Sequence, residues 1–298
     1  MSKKHRIIVI VGPTASGKSA LAVAMARRFG GEVISADSRQ VYRGLEIGSG
    51  AMTRKEMRGV PHHLIGITSP HRAFTAAQYV SRARRVIAAV ARRGKIPIVC
   101  GGTAFWIDAL VYDFSLPEVA PDARLRRALE KKSPAQLLSM LKKLDPRRAA
   151  DIERENSRRL IRAIEIARAL GRVPRLQRRP AYDALWIGMR PDQDAWMRGV
   201  TRRVRGMIRR GLVAETEKLI RRGMSERRVR ELGFEYSAAL DVIAKKIPRR
   251  ELSERMIRDT ARYARRQMRW WKRNPGIRWI MIPIRAISLV RTFLGKNP

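Results

Sequence analysis

The 298-residue chain carries 65 lysines and arginines against 26 aspartates and glutamates, a formal charge of +39, and 45% of its residues are apolar. That is enough apolar material for one large domain or two modest ones, and far more charge than solubility requires, which points to a polyanionic partner, nucleic acid before an anionic membrane surface. The single cysteine, Cys100, excludes an internal disulfide and fits a reducing compartment, and no Cys/His cluster has zinc spacing.

Lys3, Lys4 and Arg6 precede an apolar run, Ile7–Val11, that is too short for a signal peptide and leads straight into Gly12-Pro13-Thr14-Ala15-Ser16-Gly17-Lys18-Ser19. A helical segment, Ala20–Arg28, follows. Strand, G-x-x-x-x-G-K-S and helix together are the context of a P-loop. The glycines let backbone N–H groups converge on one anion, the helix N-terminus adds partial positive charge, and Lys18 adds a full one. Ser19 is placed to hold a Mg²⁺ bridging phosphate oxygens. The motif therefore predicts binding of a di- or triphosphate group.

Glu32–Ala36 reads as a second strand ending at Asp37, and Pro61–Ile67 as a short one. Thr75–Arg93 has helical periodicity, and Lys95–Cys100 is a further strand running into Gly101-Gly102-Thr103. Strands alternating with helices predict a parallel sheet with right-handed crossovers. Ligands of such sheets sit at the carboxyl ends of the strands, so the P-loop, Asp37 and Thr103 are expected on one rim. The strand ending in Gly-Gly-Thr lacks the acid that usually supports Mg²⁺ in P-loop enzymes. Asp37 is then that acid, or a group acting on a second substrate, or an ordinary turn or N-cap aspartate. Cys100 falls in an apolar strand, where a buried, inert thiol is expected. His62 and His63 are neighbours on a strand and point apart, so a structural role is expected of them.

Pro117 and Pro121 punctuate a change in composition, after which Ala123–Lys132, Pro134–Leu144 and Pro146–Arg154 read as short basic helices. Asn156–Leu170 is a stronger helix stopped by Gly171, and Ala184–Met189 a further strand. Asp192–Arg210, Ala214–Arg222 and Glu251–Arg273 read as basic helices. Ile277–Leu294 is broken by Arg278, Pro283, Arg285 and Arg291, too interrupted for a membrane span, and reads as a strand followed by an amphipathic helix. The expected class is α/β: a P-loop NTPase-like parallel sheet flanked by helices, with a small all-helical insert. The domains divide as core 1–116, insert 117–155 and remainder of the core 156–298.

With these residues in place the sequence resembles the tRNA dimethylallyltransferase (tRNA isopentenyltransferase) family, bacterial type. The resemblance is carried by residues 12–19, Ser-Ala-Asp-Ser-Arg-Gln-Val-Tyr at 35–42, Val-Pro-His-His-Leu at 60–64 and Gly-Gly-Thr at 101–103. It continues through Arg-Arg-Leu-Ile-Arg-Ala-Ile-Glu-Ile at 158–166, Gly-Leu-Val-Ala-Glu at 211–215 and Thr-Ala-Arg-Tyr-Ala-Arg-Arg-Gln at 260–267. These motifs occur in family order over nearly the whole chain. The resemblance implies transfer of a dimethylallyl group from dimethylallyl diphosphate to N6 of the adenosine beside the tRNA anticodon, with release of diphosphate and without ATP hydrolysis.

It also implies roles. Asp37 accepts the proton of the adenine amine, a poor nucleophile that needs a nearby base. Lys18, the loop N–H groups, Thr14, Ser16 and Mg²⁺ on Ser19 stabilise the leaving diphosphate, with Arg203 assisting. Thr103 lies near the reacting adenosine, unless it is a plain helix N-cap. Ser38, Arg39, Gln40, Arg126, Arg158, Arg159, Leu160, Ile161 and Arg162 fall on the tRNA-contacting segments. For the arginines of 158–162 the alternative is a solvated basic helix. Tyr263, Met268, Trp270 and Trp271 among cations suit RNA stacking, or a helix half in the core.

Three positions depart from the family pattern: Trp106 stands for a tyrosine, Gly199 for an arginine one turn before Arg203, and Glu235 for a basic residue. tRNA, dimethylallyl diphosphate and Mg²⁺ are the expected partners, with no membrane, for a cytoplasmic monomer. A P-loop small-molecule kinase, a transferase acting on free adenine nucleotide, and a non-catalytic RNA-binding protein with a vestigial P-loop are the competing readings.

Overall fold

Runs of β-branched residues and helices with one apolar face build the protein in alternation. The computed structural model describes residues 4–114 and 116–295, so Lys3 lies outside the described residues. Strand β1 (Arg6–Val11) leads to helix α1 (Lys18–Phe29), then β2 (Gly31–Ser35), α2 (Arg54–Met57), β3 (His62–His63), α3 (Ala76–Arg92), β4 (Ile96–Cys100) and α4 (Ala104–Val111). Four helices follow, α5 (Ala123–Leu129), α6 (Pro134–Leu144), α7 (Pro146–Asp151) and α8 (Ser157–Leu170). The chain then forms β5 (Asp183–Met189), α9 (Gln193–Arg209), α10 (Leu212–Arg221), α11 (Glu226–Leu232), α12 (Phe234–Ile243), α13 (Leu252–Trp271), β6 (Arg278–Ile280) and α14 (Arg285–Leu294).

Among the described residues the six strands form one parallel sheet in the order β3-β2-β4-β1-β5-β6. Ile7 to Val11 are fully buried, as a strand covered on both faces must be. Each such side chain contributes about 1.5–3 kcal/mol of burial. On one face Ile8 and Ile10 pack with Leu21 and Met25 of α1 and with Ala286 and Val290 of α14. The apolar stretch near the C-terminus is therefore strand plus core-facing helix, and no helix among the described residues is long and apolar enough to cross a membrane.

The chain divides into two compact units, one running to Asp113 and resuming at Pro180, the other Phe114–Arg179. The helical unit thus extends beyond the expected 117–155 to include α8. The cause is packing: Leu160, Ile161 and Ile164 of α8 share a buried cluster with Leu129, Leu137 and Leu141. This corrects the expectation for Leu160 and Ile161, whose side chains are core rather than RNA-facing.

Glu165, with 1% of its side chain exposed, is the polar centre of this unit. Arg126 donates to both of its carboxylate oxygens at 2.7 Å, the Asp122 N–H donates at 3.0 Å and Arg162 at 3.3 Å. Burial pushes the Glu165 pKa up, but Arg126, the Asp122 N–H and Arg162 outweigh it and hold the carboxyl below the usual glutamate range. A depressed folded-state pKa gives stability that is present above the unfolded value of about 4.3 and is lost as pH falls through the folded value. Glu165→Gln is expected to cost about 2 kcal/mol at neutral pH, less than a wholly buried pair because Arg126 is 38% exposed. It is also expected to flatten the acid loss of amide-exchange protection in α8. Equal acid sensitivity of α8 in parent and variant would contradict this account of the unit.

Candidate active site

The loop after β1 is wound by residues in the left-handed region, Ala15 at φ +62° and Gly17 at φ +86°, and closed by the Ser16 N–H donating to the Pro13 carbonyl at 3.2 Å. Helix α1 begins immediately afterwards with no side-chain cap and no acidic residue in its first turn. Its leading N–H groups are therefore left for an anion. Ser16 Oγ is buried with no hydrogen-bond partner among the described residues. Such a hydroxyl is rare in a folded protein and fits a ligand oxygen. Lys18 Nζ donates to the Pro13 carbonyl at 3.3 Å. Burial lowers its pKa, Arg203 lowers it further, and Cys100 and Asp37 oppose.

Two side chains that sequence reasoning did not single out fasten this loop. Gln267 of α13 accepts from the Thr14 N–H at 2.9 Å and donates to the Gly102 carbonyl at 2.9 Å, tying the P-loop to the Gly-Gly turn. Trp196 of α9 donates from Nε1 to the Thr14 carbonyl at 2.9 Å. Gln267 closes the 260–267 motif and is buried in a helix otherwise rich in arginine, which was the available signal.

Asp37 follows β2 on the same rim. The loops after β2 and β4 are laced together by the Ala36 N–H on the Cys100 carbonyl and the Thr103 N–H on the Ala36 carbonyl. Asp37 Oδ1 accepts the Arg39 N–H at 2.9 Å, so the turn role is real. Among the described residues its other oxygen accepts no hydrogen bond. Thr103 precedes α4, yet its hydroxyl caps no helix N–H. It instead accepts the Ser38 N–H at 2.9 Å and donates to Ser38 Oγ at 3.2 Å, which fixes the turn carrying Asp37. The N-cap alternative for Thr103 is thereby corrected. Arg39 donates to the Glu231 carbonyl at 2.6 Å, and Gln40 accepts from Ser35 Oγ at 2.9 Å. The P-loop borders the same turn, since Gln267 bridges Thr14 and the Gly102 carbonyl and the Lys18 side chain would lie 3.9 Å from a β-carbon on Gly102.

Arg203 projects from α9 and donates from Nη2 to the Ser49 carbonyl at 3.2 Å. Burial lowers its pKa, opposed by Glu235 and Asp37, and a guanidinium so perturbed is still a cation. Ala15, Gly17, Ser19, Gly199, Arg203 and Gly206 border a cavity of about 1010 Å³. A β-carbon on Gly199 would lie 3.3 Å from the Ala15 carbonyl, so this departure from the family pattern leaves the P-loop wall open. Glu235 is pushed up to about 7 by burial, against Arg203 and Arg39.

Other expected features have structural surroundings, and Cys100 sits beneath the P-loop with its Sγ donating to the Lys18 carbonyl at 3.6 Å. Trp106 is buried and stacked on Tyr79 with ring centroids 4.6 Å apart, so its indole serves as a packing group. Cys100 is buried with its thiol raised to about 11 by burial, hence inert. His63 pairs with Glu32 at 2.7 Å and His62 Nδ1 donates to the Val60 carbonyl at 2.8 Å, both structural. Trp271 is core, whereas Trp270 is half-buried and donates from Nε1 to Asp108 at 2.9 Å. In the helical unit Arg158 and Arg159 lie on an exposed face, Arg159 pairing with Glu153 at 3.1 Å. Arg126 and Arg162 already serve Glu165, and Arg162 also donates to the Val119 carbonyl at 2.9 Å.

A family model described as IPP transferase matches residues 40–274. A tRNA dimethylallyltransferase of Pelotomaculum thermopropionicum is 38% identical over 94% of this chain and 92% of its own length. One of Thermomicrobium roseum is 37% identical over 94% and 87%. Among solved structures, the full-length tRNA isopentenylpyrophosphate transferase of Bacillus halodurans superposes with a TM-score of 0.73 at 33% identity, covering 98% of this chain and 97% of that one. A eukaryotic dimethylallyltransferase acting on tRNA reaches a TM-score of 0.81 at 23% identity, over 99% of this chain and 80% of that one, a likeness of fold.

Proposed function

The chain belongs to the tRNA dimethylallyltransferase family, and from that premise we propose that it transfers a dimethylallyl group from dimethylallyl diphosphate to N6 of the adenosine beside the tRNA anticodon. The observation that supports the residue assignment is the fastening of the P-loop and the Asp37 turn to one Gly-Gly-Thr segment, by Gln267 on Thr14 and Gly102 and by Thr103 on Ala36 and Ser38. The diphosphate takes the uncapped N–H groups at the head of α1, with Lys18, Arg203 and the hydroxyls of Thr14 and Ser16 as further donors. As the C–N bond forms, the allylic C–O bond breaks and its electron pair leaves on the diphosphate, where these donors stabilise it. Asp37 accepts the N6 proton in the same step.

The residues present fit a magnesium ion held partly by substrate phosphate, with Ser19 as the protein's oxygen. No cluster of three or more acidic, histidine or cysteine side chains occurs among the described residues. Ser19, heading α1, offers a single hydroxyl, and Mg²⁺ in phosphate sites is typically held by one or two protein oxygens, phosphate and water. An ion held there would supply positive charge against the diphosphate as it leaves.

The formal charge of +39 supports a large polyanionic acceptor over a free nucleotide. The adenosine leaves its stack to reach Asp37, with Ser38, Arg39, Gln40 and Thr103 beside it and Arg158 and Arg159 on the RNA backbone. The reading extends to a cytoplasmic monomer, in keeping with one reduced thiol. Incubation with dimethylallyl diphosphate, Mg²⁺ and unmodified tRNA, followed by nucleoside mass spectrometry, is expected to show the prenyl mass on adenosine with or without ATP. Retained tRNA binding with no mass gain would refute the transferase reading.

A further inference from the structure

We propose that Glu215 is a positioning residue for the transfer: it sets the turn at residues 45–50 in the shape that aims the Arg203 guanidinium at the donor's diphosphate. The inference rests on the reading that Arg203 and the P-loop take that diphosphate.

Glu215 lies in the first turn of α10, where an acidic side chain would ordinarily be explained by the helix dipole. Its carboxylate is used otherwise. Oε2 accepts the Ile47 N–H and Oε1 the Gly48 N–H, each at 2.9 Å. Two successive N–H groups turned toward one anion make a backbone nest, and Glu215 fills it from the protein's own chain. The Tyr236 hydroxyl donates to Oε1 at 2.8 Å and lies 3.2 Å from the Leu45 carbonyl. Burial and the Glu215 carboxylate push this phenol far above its usual pKa, so it remains a donor. The ring presses so closely on Gly48 that any β-carbon there would overlap it.

What this turn holds is Arg203. The segment is wound by the Ser49 N–H on the Leu45 carbonyl at 3.1 Å and the Gly50 N–H on the Ile47 carbonyl at 3.0 Å. The Ser49 carbonyl accepts from Arg203 Nη2, and Gly50, at φ +60°, lies against the guanidinium where a β-carbon would collide with it. Release of the Ile47 and Gly48 N–H groups therefore moves both the acceptor and the surface that orient Arg203. Arginine grips phosphate through a fixed planar fork, so a change in aim costs affinity even with the charge intact.

The test is a double-mutant cycle on Glu215→Gln and Arg203→Ala, read as the affinity for inorganic diphosphate with Mg²⁺ by calorimetry and as donor KM and kcat at saturating tRNA. Glutamine keeps one acceptor and turns an NH₂ toward the remaining donors. Glu215→Gln is expected to weaken diphosphate binding and raise donor KM by about 10-fold, with kcat within about 3-fold and tRNA KM unchanged. A merely structural role would lower the active fraction, hence apparent kcat, and leave donor KM alone. In the Arg203→Ala background the same change is expected to have no further effect. Tyr236→Phe, which leaves the nest filled, is expected to shift donor KM in the same direction by about 2-fold. Unchanged diphosphate affinity in Glu215→Gln, or effects that multiply in the double variant, would overturn the proposal. A parent that binds diphosphate but leaves tRNA unmodified would overturn the transferase reading instead, and the binding cycle would still decide the role of Glu215.

Discussion

Asp37→Ala is expected to lower kcat for prenyl transfer by about 10²–10⁴-fold, the range removed with a general base, while tRNA affinity stays near that of the parent. The structure separates the two functions that this aspartate combines. Oδ1 accepts the Arg39 N–H and shapes the turn, whereas the proton acceptor must be a carboxylate. Asp37→Asn keeps a carbonyl oxygen for the Arg39 N–H and so retains the turn, which isolates the chemistry. Both variants are expected to be comparably inactive in single-turnover assays. An asparagine variant with near-parental turnover would reduce Asp37 to a turn former and leave the reaction without its base.

Lys18→Met is expected to lower kcat/KM for the donor by about 10²–10³-fold, with little change in tRNA KM. Lys18 is held back on the Pro13 carbonyl, and its charge is shared in the same field as Arg203 and Asp37. An incoming diphosphate replaces that weak carbonyl contact with a charge-assisted one. Arginine is not expected to rescue the position, because a planar fork replaces a compact ammonium in a half-buried site. A donor titration of the two variants checks this. A methionine variant with the parent's donor KM and kcat would remove the P-loop from the reaction.

The central half of the sheet was legible because each strand there is buried on both faces and reads as an apolar run bounded by glycine or a charged turn. Ile7–Val11 before the P-loop and Ile96–Cys100 before Gly101 are such cases. The placement of Asp37 and Thr103 on one rim followed from strand direction alone. Helix α4 was not legible, since Trp106 to Val111 are buried all round and carry no 3.6-residue polar alternation. Nor was the extent of the helical unit: α8 reads as an independent basic helix until Leu160 and Ile161 are seen against Leu137 and Leu141. The fastenings of the site were invisible for a different reason. Gln267 meets Thr14 across 253 residues, Trp196 meets Thr14 across 182 and Glu215 meets Ile47 across 168. A local pattern carries no trace of such pairings. Glu235 was visible only as a departure from the family's basic residue, and the structure supplies its surroundings, a buried position where Arg203 and Arg39 work against the burial.

The most direct test of the account is the stoichiometry of one turnover with no nucleotide present. Inorganic diphosphate released and prenyl groups gained by tRNA would be counted in the same reaction, with Mg²⁺ and dimethylallyl diphosphate as the only phosphate compounds added. A P-loop that holds a leaving diphosphate predicts a one-to-one ratio, unchanged by added ATP. Transfer that requires ATP, or phosphate moved from ATP to an acceptor while tRNA gains no mass, would contradict it.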